Sequence, residues 1–224
     1  MTDKKIKEYI DRLNNKKGDE TIFIRQISSL VDVARVWDEE PKLNKDISIS
    51  SLSETFFFIR NEENKYVGAV HDTESNLHWY VLENERKRGY LTKALKEAIM
   101  PYIFCDYYCS PRDTQRITIK YDFSANCYEN SKKVAESIGF KSVNDDETEF
   151  ELKKEEFKFS FNNLEEINKK ISSERLLILR KRLDLSCRQL FKISDEFLMA
   201  YDNDNMLRQL VEDIREVRIQ DIEL

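Results

Sequence analysis

A chain of 224 residues with only four glycines and three prolines has few places to turn sharply. Glycine enters left-handed backbone without steric cost, and proline fixes the backbone and withholds a donor. A sequence that nearly dispenses with both must spend most of its length in regular elements joined by polar turns. Each remaining glycine (Gly18, Gly68, Gly89, Gly139) is then expected where the backbone needs it.

Charged residues make up 36% of the chain and apolar ones 40%. The apolar share supports a real core. The charged share exceeds the roughly 25% usual for soluble domains and implies much exposed helix surface. A formal net charge of −6 disfavours a general nucleic-acid binder, because phosphate neutralisation needs a basic surface. The opening MTDKKIKEYIDRLNNKK lacks an apolar signal core, and no run approaches the roughly 18 apolar residues of a membrane span. A cytoplasmic protein with no membrane partner and reduced, buried thiols is expected. Cys105 and Cys109 lie four apart, but no second Cys or His pair follows at zinc spacing, so no metal site is expected.

Along the chain, Ile6, Tyr9, Ile10 and Leu13 carry helix spacing, and 21–27 reads as a strand. Leu30, Val31, Ala34 and Trp37 suggest a helix over 28–40, closed by Pro41. Strands are expected at 53–61, where Phe56-Phe57-Phe58-Ile59 reads as buried on both faces, and at 65–73 and 76–83. Their short polar connections imply antiparallel hairpins. Leu91, Ala94, Leu95, Ala98 and Ile99 then form the stripe of a core-facing helix that Pro101 kinks or ends. A strand over 116–123, a short helix over 130–138 with Gly139 as left-handed cap, and two closing strands follow.

From about residue 160 the pattern is helical. Leu176, Leu179, Leu183, Ser186, Leu190, Ile193, Phe197 and Ala200 recur at spacings of three and four, a heptad seam with one polar defect. Leu207, Leu210, Ile214 and Val217 suggest a second helix, making a hairpin that packs on the first domain or pairs with another chain. With 11 basic against 13 acidic residues over 160–224, it is no nucleic-acid arm.

The segment that can carry chemistry is ENERKRGYL (83–91). It joins a strand to the start of an amphipathic helix. The first N–H groups of a helix lack intrahelical partners, and the helix dipole adds positive potential there. Arg86, Lys87 and Arg88 add full charges, and Gly89 lets the backbone come close. A diphosphate is the natural ligand. No GxxxxGK[ST] loop and no complete dinucleotide fingerprint is present. The plainer reading is an ordinary strand–helix turn with solvated bases.

These residues resemble the GNAT superfamily of acyl-CoA-dependent N-acetyltransferases, whose R/Q-x-x-G-x-G/A turn holds the pyrophosphate of coenzyme A. Arg86, Gly89 and Leu91 fall on the fixed positions, the last being Leu instead of Gly or Ala. Tyr90, Thr92, Lys93, Ala94 and Leu95 resemble the helical continuation, Val67-Gly68 the preceding strand, and SKKVAESIGF (131–140) a later segment. That last segment is closest to the branch acetylating ribosomal-protein N-termini. The resemblance covers about 21–153. It implies a mixed α/β fold, a largely antiparallel sheet flanked by helices, with acyl-CoA between two splayed strands, here 76–83 and 116–122. The expected organisation is an N-terminal helix (1–20), the acyltransferase domain (21–156) and a C-terminal helical hairpin (157–224).

By the same resemblance, acetyl-CoA is the co-substrate, contacted by the main chain of Trp79 and Val81 and by Arg86, Lys87, Arg88, Gly89, Tyr90, Leu91 and Thr92. A family asparagine that contacts pantetheine has Asn126 and Asn130 nearby, each two residues out of register. Acetyl transfer to an amine calls for a base and for protonation of the leaving thiolate. His78 is the first base candidate, because its pKa needs little adjustment, and Glu74 and Glu83 bracket the same strand. The family's usual tyrosine acid is replaced by Ala135; Ser131 matches the serine of the ribosomal-protein branch, and could equally cap the short helix. Tyr128 lies in the same stretch. The expectation is N-acyl transfer to an amine of a small molecule or protein N-terminus, with a homodimer through the C-terminal helices as an added partner. The alternative is a GNAT-like domain without useful catalysis, acting as an interaction module through those helices.

Overall fold

The computed structural model describes residues 1–15, 21–38, 53–105, 112–120, 125–159, 171–201, 209 and 212–213. The chain divides into two compact units, Met1–Asn168 and Lys169–Leu224. The first is mixed α/β. Its order is α1 (Asp3–Asn14), β1 (Ile22–Gln26), β2 (Val31–Val36), β3 (Glu54–Arg60), β4 (Tyr66–Asp72) and β5 (Leu77–Val81). There follow α2 (Tyr90–Ala94), α3 (Met100–Cys105), β6 (Thr114–Thr118), α4 (Ala125–Ile138), β7 (Lys141–Ser142) and β8 (Glu149–Lys153). A five-stranded sheet runs β1-β2-β3-β4-β5 and a three-stranded one β6-β8-β7, with every ladder antiparallel.

β3 explains how the core is divided. Successive strand side chains point to opposite faces. Phe56 and Phe58 therefore join Ile6, Tyr9 and Ile10 of α1, while Phe57 and Ile59 join Leu95, Ile99 and Phe104 on the other side. All four are essentially inaccessible, each contributing about 2 kcal/mol of burial. α1 starts at Thr2, whose side chain accepts from Lys5 N, with Asp3 complementing the dipole in the first turn.

Three expectations change. Residues 31–36 form a strand, not the helix suggested by Leu30, Val31, Ala34 and Trp37. Val31, Val33 and Val36 are β-branched, and neighbours pair on both edges, so the spacing of three and four was fortuitous. Of the two outcomes expected at Pro101, a kink or an end, the helix does not end there. α2, a π-helical turn over Leu95–Ile99 and α3 run on through it, the wide turn just before the proline absorbing the missing donor. α4 begins at Ala125, one and a half turns before the expected start at 130, and Gly139 (φ 111°) follows its end. Among the thiols, Cys105 and Cys127 are exposed and Cys187 buried, so burial is not general.

Phe157 packs at the edge of the first unit's core, with ring centroids 5.7 Å from Phe104, which carries that unit past the boundary at 156. The second unit contains α5 (Ser173–Tyr201), one helix of 29 residues. Its sheltered row is Leu176, Leu183, Cys187, Leu190 and Ser194; Ser186, Ile193, Phe197 and Ala200 of the expected seam are exposed. The second arm of the expected hairpin lies almost wholly outside the described residues. No helix among them is long and apolar enough to cross a membrane.

Candidate functional site

The two sheets meet where β5 and β6 run side by side. One parallel bridge, Asn76 with Arg116, joins them, and among the described residues no ladder extends beyond it. On its other edge β5 is fully paired with β4, from Asp72↔Leu77 to Gly68↔Val81. Leu82 N donates to Val67 O at 2.9 Å, and Thr73 N to Asn76 O at 3.0 Å. Antiparallel pairing alternates, so the even-numbered residues of β5 turn their main-chain groups to β4. The main-chain groups of Leu77, Trp79 and Val81 face the β6 side.

β6 shows the matching alternation. Ile119 N donates to Thr148 O and Lys154 N to Asp113 O, which assigns its odd residues to β8 and its even residues to β5. A continuing parallel ladder would hand Thr118 N–H to the carbonyl of Leu77. Instead Thr118 N donates to Asn76 Oδ1 at 3.0 Å, and Asn76 Nδ2 donates to Thr118 Oγ1 at 2.7 Å. An opening in the backbone pairing therefore begins beside Asn76 and faces Trp79, while the Val81 carbonyl accepts from Arg86 Nε. At the closed end, Arg112 donates twice to Asp72, both at 2.8 Å, and to Gln115 Oε1 at 2.7 Å.

From Val81 the chain enters a 3-10 turn at Glu83–Glu85 and reaches α2 through Arg86–Gly89. Gly89 has φ 82° and is the N-cap of α2; Lys87, at φ 62°, also takes left-handed backbone. A Cβ built on Gly89 would meet nothing within 4 Å, so the glycine serves backbone conformation and leaves open space beside it. No side chain caps α2, and its first helical hydrogen bond runs from Lys93 N to Gly89 O. The N–H groups of Tyr90, Leu91 and Thr92 are thus free of helical partners, in the left-then-right-handed sequence that makes an anion-binding concavity. The run α2–π turn–α3 stands behind them with its dipole.

The basic side chains around this turn differ in their engagements. Arg86 Nε donates to Val81 O at 3.1 Å, and its guanidinium lies over the Tyr80 ring. Arg88 pairs with Glu85 at 3.2 Å. Lys87 is exposed. Tyr90 donates to Glu62 at 2.6 Å, which raises the phenol's pKa and holds the Glu62 carboxyl below its usual range. Tyr90, Leu91 and Thr92 are half-buried.

The catalytic candidates do not converge. His78 points to the α1 face, the face opposite Trp79, with Nε2 2.9 Å from Asp3 Oδ1. Glu74 is an exposed turn residue at φ 66° whose N–H bonds Asp72. Glu83 is exposed at the head of the 3-10 turn. Ser131 is no helix cap, because α4 starts six residues earlier. It is half-buried on the stripe of Tyr128, Ala135 and Ile138, on a helix that packs against α2. The Tyr128 hydroxyl donates to Glu147 O at 2.8 Å. Asn130 is exposed on α4, and Asn126 lies in its first turn.

Sequence reasoning missed His71, which lies directly opposite His78 across the β4–β5 ladder. Its ring stacks on Phe56 at 4.5 Å and sits 3.0 Å from Glu54 Oε2. Burial is the main cause that pushes its pKa down to about 4, helped by the positive N-terminus and His78. It also missed Asn76 and Arg112, whose roles depend on a partner some forty residues away. No family model, curated protein or solved structure matches the chain.

Proposed function

We propose that the first unit is an acyl-CoA-dependent N-acyltransferase of GNAT type, transferring acetyl from acetyl-CoA to an amine. The observation that carries this reading is one continuous path: an unpaired parallel strand edge that leads straight into an uncapped helix start. The β5–β6 opening starts at Asn76 and faces outward at Trp79, the Val81 carbonyl being held by Arg86, and β5 then delivers the chain to Gly89. Unpaired strand N–H and C=O groups suit the amides of a pantetheine arm. The free N–H groups of Tyr90–Thr92, open space at Gly89, and Lys87 and Arg88 suit a pyrophosphate. The strand order, with parallel neighbours only at the opening, agrees with the resemblance.

Direct attack by a neutral amine on the thioester needs a proton for the departing thiolate. The amine supplies it, because forming the C–N bond leaves an excess proton on nitrogen as the C–S bond breaks. Ser131 is assigned the relay, its hydroxyl giving a proton to sulfur as it takes the one from nitrogen, because its inward stripe on α4 packs next to α2. His78, held to Asp3 on the far face, is not assigned the base. The amine acceptor belongs to a small molecule or protein N-terminus, and the setting is the cytoplasm.

A second reading has one observation in its favour. α5 exposes Ile171, Ile178, Leu185, Phe197 and Met199 in and beside its helix, a surface that suits an interaction module or a homodimer. Calorimetric titration separates the two. Acetyl-CoA is expected to bind in the micromolar range, ADP more weakly, and Gly89→Glu to weaken acetyl-CoA about a hundredfold by occupying the turn and repelling phosphate. Absence of heat and of thermal stabilisation at millimolar acetyl-CoA would defeat the transferase reading and leave the helical one.

A further inference from the structure

The opening between β5 and β6 needs a cause, because two parallel strands already bridged at Asn76 and Arg116 would ordinarily continue to pair. Their main chains are correctly presented. Thr118 offers its N–H toward β5, and Leu77 and Trp79 face β6, as the alternation on both strands dictates. What intervenes is one side chain. The Asn76 amide takes the Thr118 N–H with its oxygen and gives its own N–H to the Thr118 hydroxyl. The orientation of that amide follows from chemistry, since a backbone N–H only donates.

We infer that Asn76 is a positioning residue: its side chain substitutes for the next ladder bond, ends the parallel pairing after a single bridge, and so keeps the edge of β5 open at Trp79. Its use for a pantetheine arm rests on the acyltransferase reading; the geometry does not. Without the amide, Thr118 N–H finds its nearest alternative in the Leu77 carbonyl. Trp79 N–H then gains the Thr118 carbonyl, and the strands close by one step. Asp72 at the end of β4 and Arg112 just before β6 tie β6 to the sheet at the other end, so closure proceeds toward the opening.

The test follows the Trp79 amide by NMR-detected hydrogen exchange in the whole, ligand-free chain. Asn76→Ala is expected to slow Trp79 exchange about tenfold, because a new ladder bond protects it. A merely structural asparagine predicts the reverse, since loss of two hydrogen bonds loosens its surroundings. Asn76→Asp keeps two acceptors for the Thr118 N–H and hydroxyl and should restore the fast exchange. If Asn76→Ala does not fold, Asn76→Ser, with a hydroxyl too short to reach, should show the same slowing. Unchanged or faster exchange in a folded variant overturns the inference. A parallel titration reads the function: Asn76→Ala should weaken acetyl-CoA about tenfold and leave ADP unchanged. Slowed Trp79 exchange in a protein whose wild type binds neither ligand would uphold Asn76 as the wedge and defeat the acyl-CoA reading instead.

Discussion

The two edges of β5 carry the same five residues and behave in opposite ways. Toward β4 the ladder is complete through five pairs, and Gly68 lets β5 approach so closely that a Cβ there would sit 2.9 Å from Tyr80 O. Toward β6 there is one bridge, and then an amide side chain takes the place of the main chain. Strand propensity cannot explain this, because it belongs to the residues and not to an edge. The neighbours decide: a glycine on one side, an asparagine on the other, and an ion pair that ties β4 to the start of β6. An open strand edge inside a fold is thus built by local polar chemistry, and each edge can be broken separately.

The largest effect is expected at the closed end of the open edge. Asp72 is nearly inaccessible and is held by both Nη atoms of Arg112, which also reaches Gln115. Arg112→Ala leaves the carboxylate buried without its cation, at a cost of about 4 kcal/mol in a urea titration. Arg112→Lys should recover part of this, because one ammonium cannot reproduce the fork. A loss below about 1 kcal/mol would remove the ion pair as the anchor of these strands.

Next comes the paired edge, through pH. His71 is neutral when folded, its pKa down to about 4 chiefly through burial. The unfolded chain protonates it near the ordinary value of about 6.5. Unfolding therefore takes up a proton between these values, so its contribution is intact above pH 6.5 and is lost as pH falls toward 4. The loss amounts to about 3 kcal/mol. Glu54, raised by burial, works in the opposite direction. Urea titrations of wild type and His71→Gln across this range isolate the histidine; parallel losses in both would show that it does not titrate on unfolding.

How much of this was legible in the sequence follows the range of the interactions. Phe56–Ile59 announced a doubly covered strand because its neighbours in sequence suffice to say so. Gly89 announced a helix start for the same reason, and the structure gives it φ 82° with open space beside it. The stretch 28–40 misled because helix spacing and two-sided strand burial coincide over a few apolar residues. His78 was read on the right strand, but its face had no local mark, since which side α1 covers depends on contacts with Asp3, 75 residues away. Asn76 and Thr118, 42 residues apart, carry no local mark at all.

The smallest effect ties the two edges together. Gly68→Ala places a methyl 2.9 Å from Tyr80 O and 3.2 Å from Val81 Cγ2. Backbone cannot be displaced as cheaply as the end of a flexible side chain, so a stability loss of about 2 kcal/mol is expected. The strand that must yield is β5, and the direction without a ladder to resist it is toward β6. Crowding the paired edge should therefore narrow the open one. Acetyl-CoA affinity should fall several-fold, while ADP, which needs only the turn at Gly89, should bind as before. Lost stability with unchanged acetyl-CoA affinity would mean that β5 yields elsewhere, and that the opening is set from the β6 side alone.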